Sequence, residues 1–347
     1  GSLDDLRWQQ LPAVSLAPGD VEVAVEVTGL NFRDVLNALG LLAAYSAQLG
    51  IDASAKVPFG GECVGRITAV GPGVDPGLIG QRVIAALAVG SLASHVLCRA
   101  ELCIPLPESF SPELGASVST VFLTAIYALV NLAALQPGEI VLIHAAAGGV
   151  GQAALQIARS RGARILATAS QAKRSHLLEQ GVEVVFDSRS LDFADAVLRH
   201  TDGRGVDVVL NSLKGEWVDA SFRALTAGGR FVELGKIEIW SRETARERRP
   251  DARYLPFDLL EVAAADPLLV RQLLINLLEK FERGELHPIP IQVFPLERTV
   301  EAFRLLAQAK HVGKVVIRQE LRPKPLTIRA NATYLVTGAF GGIGLQL

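Results

Sequence analysis

A stretch almost without side chains, Ala145-Ala146-Ala147-Gly148-Gly149-Val150-Gly151, lies between an apolar strand pattern, Ile140 to His144, and a helical one, Gln152 to Arg159. Ala146, Gly148 and Gly151 keep the G-x-G-x-x-G spacing, with Ala in the first place. Such a turn lets backbone N–H groups and a helix N-terminus come close to a pyrophosphate, because no side chain stands between them. The spacing alone is a weak signal, and a tight turn that only eases helix packing is the plain alternative. The setting adds weight. Strand patterns at Arg164 to Ala167, Val182 to Phe186, Val206 to Leu210 and Arg230 to Leu234 alternate with helical stretches from Gln171, from Asp192 and around Trp217 to Leu225. Ala252 to Phe257 supplies a sixth strand. The expectation is a doubly wound parallel sheet of the Rossmann type, in an α/β fold.

The end of the second strand bears on which dinucleotide binds. An NAD site usually places Asp or Glu there, about 20 residues on, to hold the ribose hydroxyls. Here the sequence reads Thr168-Ala169-Ser170-Gln171-Ala172-Lys173-Arg174, with no carboxylate and two cations. A hydroxyl with cations suits a 2′-phosphate, so NADPH is expected over NADH. The expected contacts are Ala146, Gly148, Gly149, Val150 and Gly151 at the pyrophosphate, and Ser170, Lys173 and Arg174 at the 2′-phosphate. Arg189, after the third strand, is a further candidate. The alternative for Lys173 and Arg174 is a pair of solvated charges at a helix start. Asn211 and Ser212 follow the fourth strand, and Gly235 the fifth, where a cofactor backbone would pass.

The chain on either side has a different texture. Val21-Glu22-Val23-Ala24-Val25-Glu26-Val27 alternates as a half-buried strand does. Gly61 to Gly73, Arg82 to Ala86 and His95 to Cys98 add strand-and-turn segments, so the first 120 or so residues read as a β-rich unit. After a long helical stretch from Asp258 to Gly284, strand patterns at Ile289 to Phe294 and Lys314 to Ile317 flank a helix from Thr299 to Ala309. These return to the first unit, with the nucleotide-binding part inserted between. Leu321 to Ile328 reads as a linker. Thr333 to Gly344 is a second strand running into a glycine-rich turn, read as the opening of another nucleotide-binding domain without its helix.

Composition narrows the classes. Over 347 residues, 50% hydrophobic and 20% charged with a net charge of −2, the chain has a globular balance and no general attraction to nucleic acid or an anionic membrane. No uninterrupted apolar run near the roughly 20 residues of a membrane span is visible. Gly1-Ser2 has the form of a tag-cleavage remnant and no secretory leader is seen, so the expected compartment is cytoplasmic. Cys63, Cys98 and Cys103 fit neither a disulfide framework nor a zinc spacing and are expected as buried, inert thiols. The chain contains no Met, for which the sequence offers no functional account.

Several stretches together resemble the enoyl reductase domain of modular polyketide synthases, a branch of the medium-chain dehydrogenase/reductase superfamily. They are Asn31-Phe32-Arg33-Asp34-Val35-Leu36, Gly60-Gly61-Glu62-Cys63-Val64-Gly65, Thr120-Val121-Phe122-Leu123-Thr124-Ala125 and His144 to Gly151. Further on come Val209-Leu210-Asn211-Ser212-Leu213, Phe231-Val232-Glu233-Leu234-Gly235-Lys236 and Ala309-Lys310-His311-Val312-Gly313-Lys314-Val315-Val316. The match runs in order over about residues 5–318. Thr337-Gly338-Ala339-Phe340-Gly341-Gly342-Ile343-Gly344 resembles the start of a ketoreductase domain, which follows the enoyl reductase in such synthases. The resemblance implies a Rossmann domain inserted into a GroES-like substrate-binding domain. The expected division is 1–119 and 259–319 for the substrate-binding parts, 120–258 for the NADPH-binding part, and 320–347 for the linker and truncated ketoreductase.

The implied reaction is NADPH-dependent reduction of a trans-2-enoyl thioester on an acyl carrier protein, beside other synthase domains in one polypeptide. Hydride goes to the β-carbon, an enolate forms on the thioester oxygen, and a proton reaches the α-carbon. By the resemblance, Lys236 and Asp258 are the expected catalytic pair; the alternative is a structural ion pair, or a Lys that contacts cofactor only. Asn31 and Thr124 are candidate contacts to nicotinamide or substrate, although such residues also cap helices and turns. Zinc-dependent relatives carry His beside the Glu of the Gly-Glu motif; here Gly61 precedes Glu62, and no metal is expected. Some members carry a Tyr eleven residues after the motif Asn, and here that position is Leu42. Tyr45 lies three further on and is read as a loop residue. Rival readings are a free-standing quinone or enone reductase, a non-catalytic NADPH-binding member, and a member that closes a ring after hydride addition.

Overall fold

The computed structural model describes residues 2–10, 15–42 and 57–319. Tyr45, the linker at 321–328 and the second glycine-rich turn at 333–344 lie outside them. The amino-terminal part forms β1 (Asp20–Leu30), β2 (Cys63–Val70), β3 (Arg82–Ala85), β4 (His95–Arg99) and β5 (Cys103–Pro105), with a short helix, α1 (Phe32–Ala38), after β1. The alternation in β1 is real: Val21, Val23, Val25 and Val27 are all buried. Three of them pack on Cys63, Ile67, Val83 and Ala85 from the neighbouring strands.

Six parallel strands follow: β6 (Ile140–Ile143), β7 (Arg164–Ala169), β8 (Val184–Asp187), β9 (Val206–Asn211), β10 (Leu225–Glu233) and β11 (Arg253–Pro256), in the order β11-β10-β9-β6-β7-β8. The order reverses beside β6, which has β7 on one side and β9 on the other. The crevice at such a switch point is where open parallel sheets bind ligands. The chain then returns to the first sheet through β12 (Ile291–Pro295) and β13 (Lys314–Arg318), giving the order β12-β13-β1-β2-β3-β5 with β4 paired to β1. The parallel sheet is therefore an insertion in the other one.

The helix α2 (Pro112–Ile126) packs between the sheets. Ser111 starts it by accepting from the Leu114 amide at 3.2 Å, with Pro112 in the first turn, where a missing N–H costs nothing. It begins before and ends after residue 119. With the π-helical turn Tyr127–Leu132 it makes a 21-residue stretch long and apolar enough to cross a membrane, and 67% of its 18-residue apolar window is buried inside the protein. It is not an uninterrupted apolar run. Ser117, Ser119, Thr120 and Thr124 break the apolar run, yet Ser117 returns its hydroxyl to Leu114 O at 2.8 Å and stays buried.

The long helix expected over 258–284 is two helices, α8 (Leu259–Ala265) and α9 (Pro267–Glu282), once α3 (Gly149–Ser160), α4 (Arg174–Glu179), α5 (Phe193–His200), α6 (Glu216–Arg223) and α7 (Arg242–Arg248) are counted. Pro267 cannot donate a helical hydrogen bond, and Asp266 caps the new helix by accepting from Leu269 N at 2.9 Å. The helix after β12 is α10 (Thr299–Ala307). Phe281 of α9 meets Phe122 of α2 edge-on, with centroids 4.9 Å apart, so α9 is pinned to the central helix. Cys63, Cys98 and Cys103 are free, and burial pushes the Cys63 thiol up, as an inert core thiol requires.

Candidate active site

The glycine-rich turn leaves β6 at the switch point. Ala145 takes a left-handed conformation, φ 48°, and Gly148 N closes the turn on Ala145 O at 2.9 Å. A Cβ on Gly151 would sit 2.5 Å from Ala146 Cα, and one on Gly149 would sit 2.9 Å from Val121 Cγ1, so both positions demand glycine. Ala146 is wholly buried; its N donates to Thr168 O at 3.2 Å. The first intrahelical bond of α3 runs from Gln152 N to Gly148 O at 2.8 Å. The amides of Gly149, Val150 and Gly151 therefore have no acceptor in the helix, and they carry its positive end. These residues fit a pyrophosphate.

His144 holds the base of this turn. Its ring nitrogens meet Thr168 Oγ1 at 2.9 Å and Ser221 Oγ at 2.8 Å, tying β6 to β7 and α6. Burial pulls its pKa down to about 3, so it is a neutral strut.

At the end of β7 the candidates diverge. Ser170 is half-buried, and its carbonyl accepts from Lys173 N at 2.9 Å. The Lys173 ammonium donates to Ala309 O at 2.7 Å and His311 O at 2.5 Å, and burial lowers its pKa. It is thus not the solvated helix-start charge of the plain alternative. Arg174 is paired with Asp187 at 2.9 Å, while Arg189 is exposed, its amide bonded to Asp187 Oδ1.

Beyond β9, Asn211 is fully buried and turned inward. Both its Nδ2 hydrogens are spent, on Leu213 O at 2.9 Å and Glu233 Oε2 at 2.8 Å, and its Oδ1 accepts from Leu213 N. Its side chain has no donor to spare. Ser212 is exposed. Glu233, to which the sequence reading gave no role, also accepts from Gly235 N at 2.6 Å. Burial raises its pKa to about 7, against bonds from Gly235 and Asn211 that lower it. It fixes the bend that presents Lys236.

Lys236 and Asp258 do come together, with Nζ 3.3 Å from Oδ2, and Nζ also donates to Phe257 O at 2.8 Å. Burial pulls Lys236 down to about 8, with Glu261 and Glu233 raising it and Arg33 lowering it. Burial likewise pushes Asp258 up, against the Leu260 amide and the Arg33 charge. An ammonium that gives up its proton near neutrality, beside a carboxylate that can orient it, suits proton donation.

Asn31 heads α1 within a buried ionic cluster. Lys314 Nζ lies 2.7 Å from Glu62 Oε1 and donates to Asn31 Oδ1 at 2.5 Å. Asn31 Nδ2 donates to Glu62 Oε1 at 3.2 Å, while Glu62 Oε2 accepts from Ser119 Oγ at 2.6 Å and Thr120 N at 2.8 Å. Thr124 is half-buried one turn further along α2, and Leu42 is 2% exposed with no proton to give. The partners of Asn31 escaped the sequence reading because 31, 62 and 314 are far apart and no local pattern joins them. Zinc does not fit here: every Glu62 oxygen is engaged, a cation already sits on the carboxylate, and Gly61 offers no ligand. Among the described residues no group of three His, Cys, Asp or Glu is placed to hold a metal.

The glycine-rich turn thus stands at the switch point, the Lys236–Asp258 pair beyond β10 and β11, and the Asn31 amide in the buried ionic cluster. The alcohol dehydrogenase GroES-like domain family matches residues 17–108, and the zinc-binding dehydrogenase family matches 180–317. The spectinabilin polyketide synthase system protein NorB of Streptomyces orinoci is 43% identical over 100% of this chain, which spans only 15% of that relative's length. The crystal structure of CurK enoyl reductase is 47% identical, with a TM-score of 0.86 over 92% of this chain and 97% of that one. Mycobacterial Rv1454c, solved with NADPH, is 26% identical, with a TM-score of 0.79 over 92% of this chain and 97% of its own.

Proposed function

This chain belongs to the enoyl reductases of modular polyketide synthases, in the medium-chain dehydrogenase/reductase superfamily, and from that premise we propose that it reduces the trans-2 double bond of an enoyl thioester. The substrate rides on an acyl carrier protein, in a cytoplasmic synthase whose neighbouring domains include a ketoreductase. Bound at the turn, NADPH would supply the hydride for the β-carbon. The amides of Gly149, Val150 and Gly151 would hold its pyrophosphate. Lys173, with Ser170 and Arg174 nearby, would take the 2′-phosphate, because a dianion is a stronger acceptor than two carbonyls.

The observation that carries the reading is the Lys236–Asp258 pair, 3.3 Å apart and largely buried. Lys236 gives the α-carbon its proton, and Asp258 holds the ammonium in place. Leu42 contributes none, so an α-branched product would carry the stereochemistry of the Tyr-lacking group. The test is NADPH consumption with a crotonyl-type thioester, expected to be faster than with a quinone. Quinone turnover without enoyl-thioester turnover would overturn the assignment. For the donor, Lys236→Ala with Asp258→Ala is expected to lower turnover and leave NADPH affinity nearly intact. Full activity in that double variant would remove the pair from the mechanism.

A further inference from the structure

The Glu62–Lys314 pair is almost wholly enclosed, with side chains 0% and 3% exposed. Burying two charges is costly, and apolar replacements of such pairs are often neutral or stabilising. Packing alone gives no reason for the pair. Its contact with Asn31 does.

Burial acts to raise the Glu62 pKa, but the Lys314 charge and the bonds from Lys314, Ser119 and Thr120 hold it below the usual carboxylate range. Glu62 is therefore ionised and can only accept hydrogen bonds, while the Lys314 ammonium can only donate. An asparagine amide placed between them has one permitted orientation, Oδ1 on Lys314 and Nδ2 on Glu62, which is the one observed. One Nδ2 hydrogen remains after these two bonds. Asn31 is half-exposed at the head of α1. Lys314 follows Gly313, whose backbone forms a β-bridge with Gly148 of the turn. Arg33, two residues along, acts on the charges of both Lys236 and Asp258. Asn31 therefore lies between the segment that reaches the turn and a cation that acts on the Lys236–Asp258 pair.

The geometry points to Glu62 and Lys314 as positioning residues that lock Asn31 as a hydrogen-bond donor to the thioester oxygen of the substrate. The role rests on the enoyl reduction proposed above. As hydride and its electron pair form the new β-carbon bond, the alkene pair moves to the bond between the α-carbon and the carbonyl carbon. The carbonyl pair moves to oxygen, and that oxygen's charge meets the Asn31 N–H. When Lys236 protonates the α-carbon, the pairs return and the thioester carbonyl is restored. A fixed donor strengthens its bond as this charge develops and needs no rearrangement at the moment of reaction.

The test pairs kinetics with binding. Butyryl-pantetheine is compared with its thioether analogue, which lacks the carbonyl oxygen, by calorimetry in the presence of NADP⁺. The native protein is expected to favour the thioester about tenfold, the worth of one good hydrogen bond. In Glu62→Gln/Lys314→Met, which leaves no unpaired buried charge, that preference falls toward unity and kcat drops about tenfold or more. KM for NADPH and thioether affinity stay unchanged, which a merely structural lesion would not allow. Asn31→Ala and Asn31→Asp, at a half-exposed position, are expected to lose the preference too, and keep the proposal testable if the double variant does not fold. A double variant that keeps both kcat and the preference overturns this role alone, as do Asn31 variants that keep both. Native protein that turns over no enoyl thioester overturns the reductase assignment, and this role with it.

Discussion

Replacing Asp258 by Asn removes one negative charge 3.3 Å from Lys236 Nζ and little else. Asn keeps the oxygen that caps α8 by accepting from Leu260 N, so the helix start survives. At that 3.3 Å separation, with an effective dielectric of about 20, the charge is worth roughly 5 kcal/mol to the ammonium. Solvent reaches both partners, whose side chains are 21% and 10% exposed. A quarter to a half of the Coulomb figure is the reasonable remainder, about 1–2.5 kcal/mol, or about 1–2 pH units. Burial has already brought Lys236 to about 8, with Glu261 and Glu233 pulling it up and Arg33 pulling it down. The donor works protonated, so native kcat/KM is expected to fall as pH rises through about 8. In Asp258→Asn the cationic form loses support, and the falling limb moves to lower pH. The assay is the pH dependence of kcat/KM with a crotonyl thioester between about pH 5.5 and 9.5, with Lys236→Ala as reference. A limb that stays near its native pH in Asp258→Asn, or that persists in Lys236→Ala, refutes the assignment of Lys236 as the titrating donor.

Other expectations follow from single features. Ala145→Gly relieves a left-handed alanine worth about 1–2 kcal/mol, less the extra freedom of unfolded glycine, so a net gain below about 1 kcal/mol should appear in denaturant melts. His144 binds its proton only near pH 3 when folded and near 6.5 when unfolded, so the unfolded state holds more protons between these values. Stability is then fully present above the unfolded value and falls by up to about 1.4 kcal/mol per pH unit below it; His144→Gln should flatten that slope in acid melts. Lys173→Ala is expected to lower the preference for NADPH over NADH about tenfold, read from the two dissociation constants.

The nucleotide-binding sheet was legible because its evidence is local. Strand, side-chain-free turn and helix follow one another within residues 140–159, and the same alternation repeats downstream. Lys236 and Asp258 were legible only by resemblance, since Phe257, whose carbonyl the Lys236 ammonium meets, stands 21 positions further on, past a helix and a strand. The partner of Asn211 was not legible: a polar residue at the carboxyl end of a strand looks available until Glu233, from the next strand, takes its amide. The continuous apolar pattern over 258–284 hid a helix break because Pro267 stands where a helix may begin as well as end. The cluster around Asn31 was illegible in principle. Asn31 follows β1, Glu62 precedes β2 and Lys314 opens β13, and only the antiparallel pairing of those strands brings their ends side by side.

That pairing explains why the chain must carry its last strand back to its first sheet. The proposed reduction needs hydride, proton and oxygen contact arranged to a fraction of an ångström, yet Lys236 follows a strand of one sheet and Asn31 a strand of the other. A loose joint between the sheets would spoil the arrangement even with every side chain in place. The joint is the segment from Ala309 to Lys314. Gly313 N donates to Ala147 O at 2.8 Å, and its backbone bridges Gly148 of the turn. Gly313 holds φ 73°, and a Cβ there would lie 2.0 Å from Pro290 O, so no other residue can make this contact. The next residue is Lys314, which orients Asn31. One short segment thus fixes the distance between the dinucleotide turn and the Asn31 amide. A substitution at Gly313 should therefore harm cofactor affinity and turnover together, whereas Asn31→Ala should harm turnover alone.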